Sequence, residues 1–206
     1  MNTGAETSSS LEHWLPASPE GLPGAGLPWL DVQRHGALER VRAQGVPTMK
    51  HEAWRYTGLK RLTEQTFAPC TETLSAVQSD DLAELLVPGL DAHRVVLVNG
   101  RFVAHLAALD DLPQGVRAGS LRALLEADPD ALEGRLTRVA GKGAHLFSEL
   151  NTAGLDDGFV LLIDESTVID RPIELIHLSV GMEAPRVAQP RHLVVLEPGA
   201  RAELIE

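Results

Sequence analysis

Residues 159–180 read FVLLIDESTVIDRPIELIHLSV, and residues 191–206 read RHLVVLEPGARAELIE. Apolar, β-branched runs alternate here with polar turns that contain Pro or Gly, which is a pattern typical of short strands. The predicted strands cover residues 159–163, 172–180, 192–196 and 202–205. An open strand edge leaves N–H and C=O groups unpaired. We therefore expect these strands to begin a longer stacked-strand core, of which this chain is the front half.

The composition limits the classes of function. The 206 residues are 44% hydrophobic, so the chain can bury a core in one domain or two. The net charge is −11 with scattered basic residues, so neither a nucleic-acid surface nor a polybasic membrane patch is expected. The single cysteine excludes an internal disulfide, and the polar first ten residues do not read as a secretory signal. We expect a cytoplasmic protein.

Helical patterns precede the strands. Pro28 suits a first helical turn and Gly45 suits a stop, which predicts a helix over residues 28–44. Its predicted apolar face carries Leu30, Ala37, Leu38 and Val41, and its opposite face carries Arg34, Arg40 and Arg42. Further helices are predicted over residues 80–87, 121–127, 129–140 and 144–152.

One hairpin is predicted inside the helical region. Asn99-Gly100 separates two apolar runs, and this dipeptide is preferred in type I′ turns because both positions tolerate positive φ. The hairpin covers residues 94–106. Near residue 151 the period changes from helical to strand-like. The predicted regions are a disordered, loop-rich N-terminus at 1–26, a helical domain at 27–150 and a strand core at 151–206.

Three stretches with distinctive side chains have simple structural explanations. Residues 141–143, Gly-Lys-Gly, lack the spacing of a phosphate loop and indicate a helix end. Cys70 has no close basic neighbour in sequence, so a passive thiol is expected. Trp54 and Tyr56 stand among charged residues and are expected to hold a surface segment onto the core, with a partner contact as the alternative.

Histidines and carboxylates near the predicted strands are candidate ligands. His177 and His192 lie on predicted strands and could approach each other across stacked rungs, although a hydrogen-bonded strand histidine is commoner than a metal ligand. Asp164, Glu165 and Asp170 indicate a solvated turn, with a glycosidase-type carboxylate pair as the alternative. The sequence therefore predicts no catalytic residue and no metal ligand, and it leaves cofactor-binding residues unknown.

A family resemblance connects these features. PTMKHEAWRYTGLKRL at residues 47–62 resembles the PT-x-K-x-E-x-W-(R/K)-Y-T segment near the start of the SufD family, which takes part in bacterial iron–sulfur cluster assembly. Blocks at residues 96–102, 150–163 and 171–178 resemble later family blocks in the same order, and residues 189–206 resemble the rung that follows. The resemblance covers the chain after residue 27.

The resemblance implies an α+β fold: a helical N-terminal domain with a hairpin, then the first rungs of a right-handed parallel β-helix. It also implies a non-catalytic scaffold that works with a SufB-like paralogue and a SufC-like ATPase. The complex would handle an iron–sulfur cluster and use ATP through the SufC-like subunit, while this segment itself is expected to bind no cofactor. No functional residue is carried over, since the family's sites belong to later parts of the chain.

Two alternatives stay open at this stage. One is a metal-binding module built on His177 and His192, and the other is a carbohydrate-active β-helix protein. We also expect that the segment self-associates through its open strand edge.

Overall fold

The computed structural model describes residues 13–15, 19–70, 77–138, 145–181 and 183–206. The fold is mixed α+β, as predicted. The helices are α1 (Pro28–Gln44), α2 (Lys60–Thr63), α3 (Leu121–Ala127) and α4 (Leu146–Ala153). The strands are β1 (Ala68–Pro69), β2 (His93–Val98), β3 (Arg101–Phe102), β4 (Val116–Ser120), β5 (Phe159–Ile163), β6 (Ile173–Leu178), β7 (Arg186–Val187), β8 (Leu193–Leu196) and β9 (Leu204–Ile205). None of the helices in these ranges is long and apolar enough to cross a bilayer.

Contacts divide the chain into two compact units. The first comprises Met1–Cys70, Asp128–Leu155 and Met182–Gln189, and the second comprises Thr71–Ala127, Asp156–Gly181 and Pro190–Glu206. Both units take segments from early and late in the chain, and the division into linear regions 1–26, 27–150 and 151–206 stays a prediction. The predicted loop-rich N-terminus falls partly on residues 1–12 and 16–18, which lie outside the described ranges.

The first unit is built on α1 and α4. Helix α1 has the predicted bounds, with Pro28 in its first turn and Gly45 at φ 60° after its end. Its apolar face packs with Leu146 and Leu150 of α4, and with Trp14, in one core cluster. The parallel pair β1–β7 belongs to the same unit.

The predicted placement of Arg34 on the face of α1 opposite the apolar face was wrong. Arg34 is 3% exposed, because it lies four residues after Leu30 and three before Ala37, on the buried face of the helix. Its Nη2 donates to the carbonyls of Pro23, at 2.8 Å, and Leu155, at 3.0 Å. These bonds let a charged group occupy a core position.

Two sheets form the second unit. Their strand orders are β3-β2-β6-β9 and β4-β5-β8. Apolar side chains of β2, β5 and β6 meet in a core that includes Val95, Phe159 and Ile173. Strand β2 is buried on both faces, since Val96 and Val98 join a second cluster with Leu82. Such two-sided burial explains its continuous apolar sequence.

The late strands pair in parallel at a nearly constant separation along the chain. Val160 of β5 pairs with Leu193 of β8, 33 positions later, and Ile173 of β6 pairs with Leu204 of β9, 31 positions later. An isolated parallel bridge joins Val168 to Arg201, again 33 positions apart. Strands β5 and β6 therefore each lie beside a strand that follows 31–33 residues later.

The predicted hairpin forms, with a shorter second arm. Asn99 and Gly100 have φ of 48° and 83°, as a type I′ turn requires, and β2 pairs antiparallel with β3. The second arm ends at Phe102 and not at residue 106, because residues 104–106 form a 3-10 turn. On its other side β2 pairs with β6, so the hairpin shares a sheet with strands that follow residue 151.

Two predicted helices do not form. Residues 80–87 form a 3-10 turn and further turns, and the Val87 N–H donates to the Glu174 carboxylate at 3.1 Å in place of a helical carbonyl. Over the described part of the helix predicted at 129–140, residues 129–138, a 3-10 turn and further turns are present instead, because Gly134 takes φ 69°, which is incompatible with a right-handed helix. Its predicted end at residues 141–143 lies outside the described residues.

The buried Asp157 carboxylate joins separate parts of the second unit. Asp157 is 4% exposed, and its Oδ2 accepts the Phe102 N–H at 3.0 Å. Its Oδ1 accepts the Ser120 hydroxyl at 2.8 Å and the Arg122 N–H at 3.0 Å. Its backbone carbonyl accepts the Arg191 N–H at 2.9 Å. One residue thus ties the hairpin, the start of α3 and the entry to β8 to the start of β5.

We predict that Asp157→Asn destabilises the fold by about 2–4 kcal/mol, because an NH₂ group would face a backbone N–H donor and leave it unpaired. Urea unfolding measures the effect. Asp164→Asn, in an exposed turn, is the matched control and should change the free energy of unfolding by at most about 0.5 kcal/mol. Equal effects of the two substitutions would contradict the role assigned to Asp157.

Gly158 permits a close backbone approach. A Cβ at this position would lie 1.8 Å from the Arg191 carbonyl oxygen, so Gly158→Ala must displace the backbone there. We expect a loss of about 2–4 kcal/mol in urea unfolding. Gly119→Ala is the control, since Gly119 has a similar φ of 153° but open space around it. If both variants lose the same stability, the contact with Arg191 is not the cause.

Candidate functional site

Three potential ligands meet in the second unit. His177 is on β6, His192 immediately precedes β8, and Glu206 immediately follows β9. The nitrogen and oxygen ligand atoms of these side chains all lie within 4.8 Å of one another. Within the described residues, these three side chains have the spacing that a shared metal ion would require. We call it the His–His–Glu cluster.

The prediction that His177 and His192 approach each other is confirmed. Their ring centroids are 5.0 Å apart, with the ring planes at 62°. Glu206 was not among the predicted ligand candidates, and its Oε1 lies 3.1 Å from Nε2 of His177. The parallel pairing of β6 with β9 carries Glu206 to this place, and the apolar run at residues 202–205 was the signal that could have indicated it.

The two histidines differ in their surroundings. The His177 side chain is 36% exposed, whereas His192 is half-buried and its Nδ1 accepts the Phe159 N–H at 3.0 Å. A nitrogen that accepts a hydrogen bond carries no proton, so the neutral His192 ring holds its proton on Nε2. That bond ties the ring to the first residue of β5, and its loss would cost about 1–3 kcal/mol.

Burial lowers the pKa of His192 below its ordinary 6.5, and the charge of His177 lowers the pKa further. The carboxylates of Glu206 and Asp157 act in the opposite direction. The folded protein therefore takes up this proton less readily than the unfolded chain. The stability that the neutral ring contributes is complete above pH 6.5 and is lost as the pH falls through the lowered pKa.

We predict that the free energy of unfolding falls more between about pH 8 and pH 5 in the wild type than in His192→Gln. Glutamine keeps an acceptor for the Phe159 N–H but does not titrate. Urea unfolding across that pH range measures the difference. An identical pH dependence for both proteins would contradict the assignment.

Arg171 lies at the edge of a polar surface depression in the second unit. It pairs with Asp91 at 3.0 Å and also with Asp111, and these two carboxylates raise the pKa of its guanidinium. The depression has a volume of about 260 Å³ and is also lined by His93 and Asp170. Because its cation is neutralised by two carboxylates, the depression is a poor site for an anion.

The carboxylates of the predicted solvated turn are placed as expected. Asp164, Glu165 and Asp170 are all exposed. Cys70 is buried just after β1, and its N–H donates to the Val187 carbonyl at 2.9 Å. The prediction of a passive thiol there stays a prediction.

The two aromatic residues of the 47–62 segment behave differently. Trp54 packs near the rings of His145 and Phe147, with centroid distances of 6.2 and 5.6 Å, and so holds the segment in place as predicted. Tyr56 is 91% exposed, and the Arg55 guanidinium lies 5.7 Å from its ring centroid. The prediction that Tyr56 also packs on the core was wrong, and the alternative, a partner contact, stays a prediction.

Comparison with known proteins identifies the family. Residues 22–175 match the family described as the SufBD protein N-terminal region. The chain belongs to the SufB/SufD family. The predicted resemblance is thereby confirmed at the level of the family and of its N-terminal portion.

Two curated relatives agree with this assignment. The chain is 30% identical over 174 residues, or 84% of its length, to an iron–sulfur cluster assembly SufBD family protein of Synechocystis sp.. It is also 30% identical over 178 residues, or 85% of its length, to the iron–sulfur cluster assembly protein SufD of Escherichia coli. The chain spans 38% of the length of each of these SufB/SufD relatives.

A third match concerns a different class of protein. The chain is 34% identical over 148 residues, or 65% of its length, to the tRNA pseudouridine synthase D of Ectopseudomonas mendocina. RNA binding relies on clustered basic side chains, whereas this SufB/SufD chain has 18 basic and 29 acidic residues. The charge balance therefore favours the SufB/SufD comparison.

Proposed function

We propose that the chain is the N-terminal part of a non-catalytic scaffold subunit that supports iron–sulfur cluster assembly and iron acquisition. The observation that carries the proposal is the family match over residues 22–175. Two relatives named for iron–sulfur cluster assembly, each aligned over more than four fifths of this chain, support it.

The strand arrangement supports a coil architecture for this scaffold. The 31–33-residue separation of paired parallel strands is what the first rungs of a right-handed parallel β-helix would produce. Val194 and Leu196 of β8 and Leu204 of β9 are 40–44% exposed. Apolar side chains in this position fit coverage by a further rung or by a partner protein.

The proposed partners follow from the family. A SufB-like paralogue would pair with the scaffold, and a SufC-like ATPase would hydrolyse ATP for the complex. The Gly-Lys-Gly sequence at residues 141–143 lacks the spacing of a phosphate loop, which supports the assignment of ATP hydrolysis to the partner. Self-association through a strand edge and a cytoplasmic location stay predictions.

We predict that the affinity-tagged full-length gene product co-purifies with a SufB-like protein and a SufC-like ATPase when all three are expressed together. ATP hydrolysis should follow the SufC-like subunit and be absent from the scaffold alone. Size-exclusion chromatography with an ATPase assay of each fraction measures both. A scaffold that stays monomeric with both partners present would overturn the proposal.

A matched pair of variants tests the exposed apolar residues of β8. Val194→Glu should lower the yield of complex by about tenfold or more, because a carboxylate buried without a partner is costly. Val32→Glu is the control, since Val32 is an exposed valine on α1. Equal yields of complex from both variants would show that β8 is not covered in the assembly.

A further inference from the structure

We propose that His177, His192 and Glu206 bind one divalent first-row transition ion of the Zn²⁺ class, with a fourth position left for water or for a partner's ligand. This site is independent of the proposed scaffold function. It also departs from the expectation, drawn from the sequence, that the segment binds no metal.

The kinds of ligand favour this class of ion. Two imidazoles and one carboxylate form a set that Zn²⁺ accepts in tetrahedral sites with one open position. Imidazole suits Zn²⁺ and its transition-metal neighbours, whereas Mg²⁺ and Ca²⁺ require oxygen ligands almost throughout. The His–His–Glu cluster offers one carboxylate, so it is a poor Mg²⁺ or Ca²⁺ site.

The spacing of the atoms is close to what an ion needs. Ligand atoms on one tetrahedral Zn²⁺ lie about 3.4 Å apart, because each bond is about 2.0–2.1 Å long. His177 Nε2 and Glu206 Oε1 are already 3.1 Å apart, and all three ligand atoms lie within 4.8 Å of one another. His177 and Glu206 are exposed, so their side chains can turn to close the remaining distance.

Backbone pairing holds the three ligands near one another. His177 is itself a residue of β6 and pairs in register with Leu97 of β2, while β6 also pairs with β9, the strand before Glu206. His192 adjoins β8, which pairs with β5. Strand-borne ligands cost less conformational entropy on binding than loop-borne ligands, because the backbone is already fixed.

His192 must exchange one bond for another when the ion binds. Its Nδ1 now accepts the Phe159 N–H, and its proton is on Nε2, so a metal at Nε2 requires that proton to move to Nδ1. The ring must then turn about its Cβ–Cγ bond and release the Phe159 N–H. This requirement distinguishes a metal site from a purely hydrogen-bonded cluster, in which His192 keeps its present tautomer.

Calorimetric titration of the purified protein with Zn²⁺ tests the site. We expect one ion per chain with low-micromolar or tighter affinity, and no comparable heat with Mg²⁺ or Ca²⁺. His177→Gln and His192→Gln should weaken binding by roughly 100-fold or more, since loss of an outer-shell partner alone costs about 10–100-fold. Glu206→Gln should weaken it by about tenfold or more.

Matched controls come from the same chain. His51→Gln and Glu203→Gln remove an exposed histidine and an exposed glutamate outside the cluster, and both variants should bind Zn²⁺ like the wild type. Circular dichroism and urea unfolding show whether each variant is folded. His177 is exposed, so His177→Gln tests binding even if His192→Gln disturbs the contact with Phe159.

Nitrogen-15 NMR of the histidine rings gives a second readout. Zn²⁺ should move the Nε2 signals of His177 and His192 to the metal-bound range and place the His192 proton on Nδ1. Undetectable binding, several weak sites of equal affinity, or unchanged binding in His177→Gln would overturn the proposal. The Zn²⁺ titration and the NMR spectra do not depend on co-purification with partners. Failure of the metal-site proposal is therefore distinguishable from failure of the scaffold proposal.

Discussion

The Asp157 carboxylate is the interaction on which the second compact unit depends. Its two oxygens accept donors from the hairpin and from the start of α3, and its backbone carbonyl accepts the Arg191 N–H. A buried carboxylate is stable only when hydrogen-bond donors surround it. The burial of Asp157 therefore depends on the segments that supply those donors. The next residue, Gly158, lets the Arg191 backbone approach β5 closely.

The position of Arg191 then fixes its neighbour His192. Once the chain entering β8 is held against Asp157 and Gly158, His192 meets the Phe159 N–H at the start of β5. The parallel pairing of β6 with β9 brings Glu206 to His177, and these two residues complete the His–His–Glu cluster. The proposed ligand set is therefore a consequence of strand stacking and not of closeness in sequence.

The first unit uses the opposite solution for a buried charge. Arg34 reaches two backbone carbonyls from a helix face that is otherwise apolar. Six residues further along α1, Arg40 pairs with the buried Glu149 at 2.8 Å, and this hydrogen bond raises the pKa of Arg40. Helix α1 is thus held in the first unit by apolar contacts and by the hydrogen bonds of Arg34 and Arg40.

The sequence by itself determined many of the local elements and the family. Pro28 and Gly45 set α1, Asn99-Gly100 set the hairpin, and the β-branched runs set β5, β6 and β8, because each depends on the conformational preferences of a few adjacent residues. Family membership was readable from the 47–62 block and its successors. The pattern also indicated that His177 and His192 could meet.

Only the tertiary structure decided what depends on pairing between distant segments. It placed Arg34 in the core, formed turns around Gly134 at residues 129–138 where a helix was predicted, and brought Glu206 to the two histidines. These outcomes follow from strand pairing between distant segments and from hydrogen bonds such as that from Val87 to Glu174. Such interactions join residues far apart in the chain, so a short stretch of sequence does not predict them.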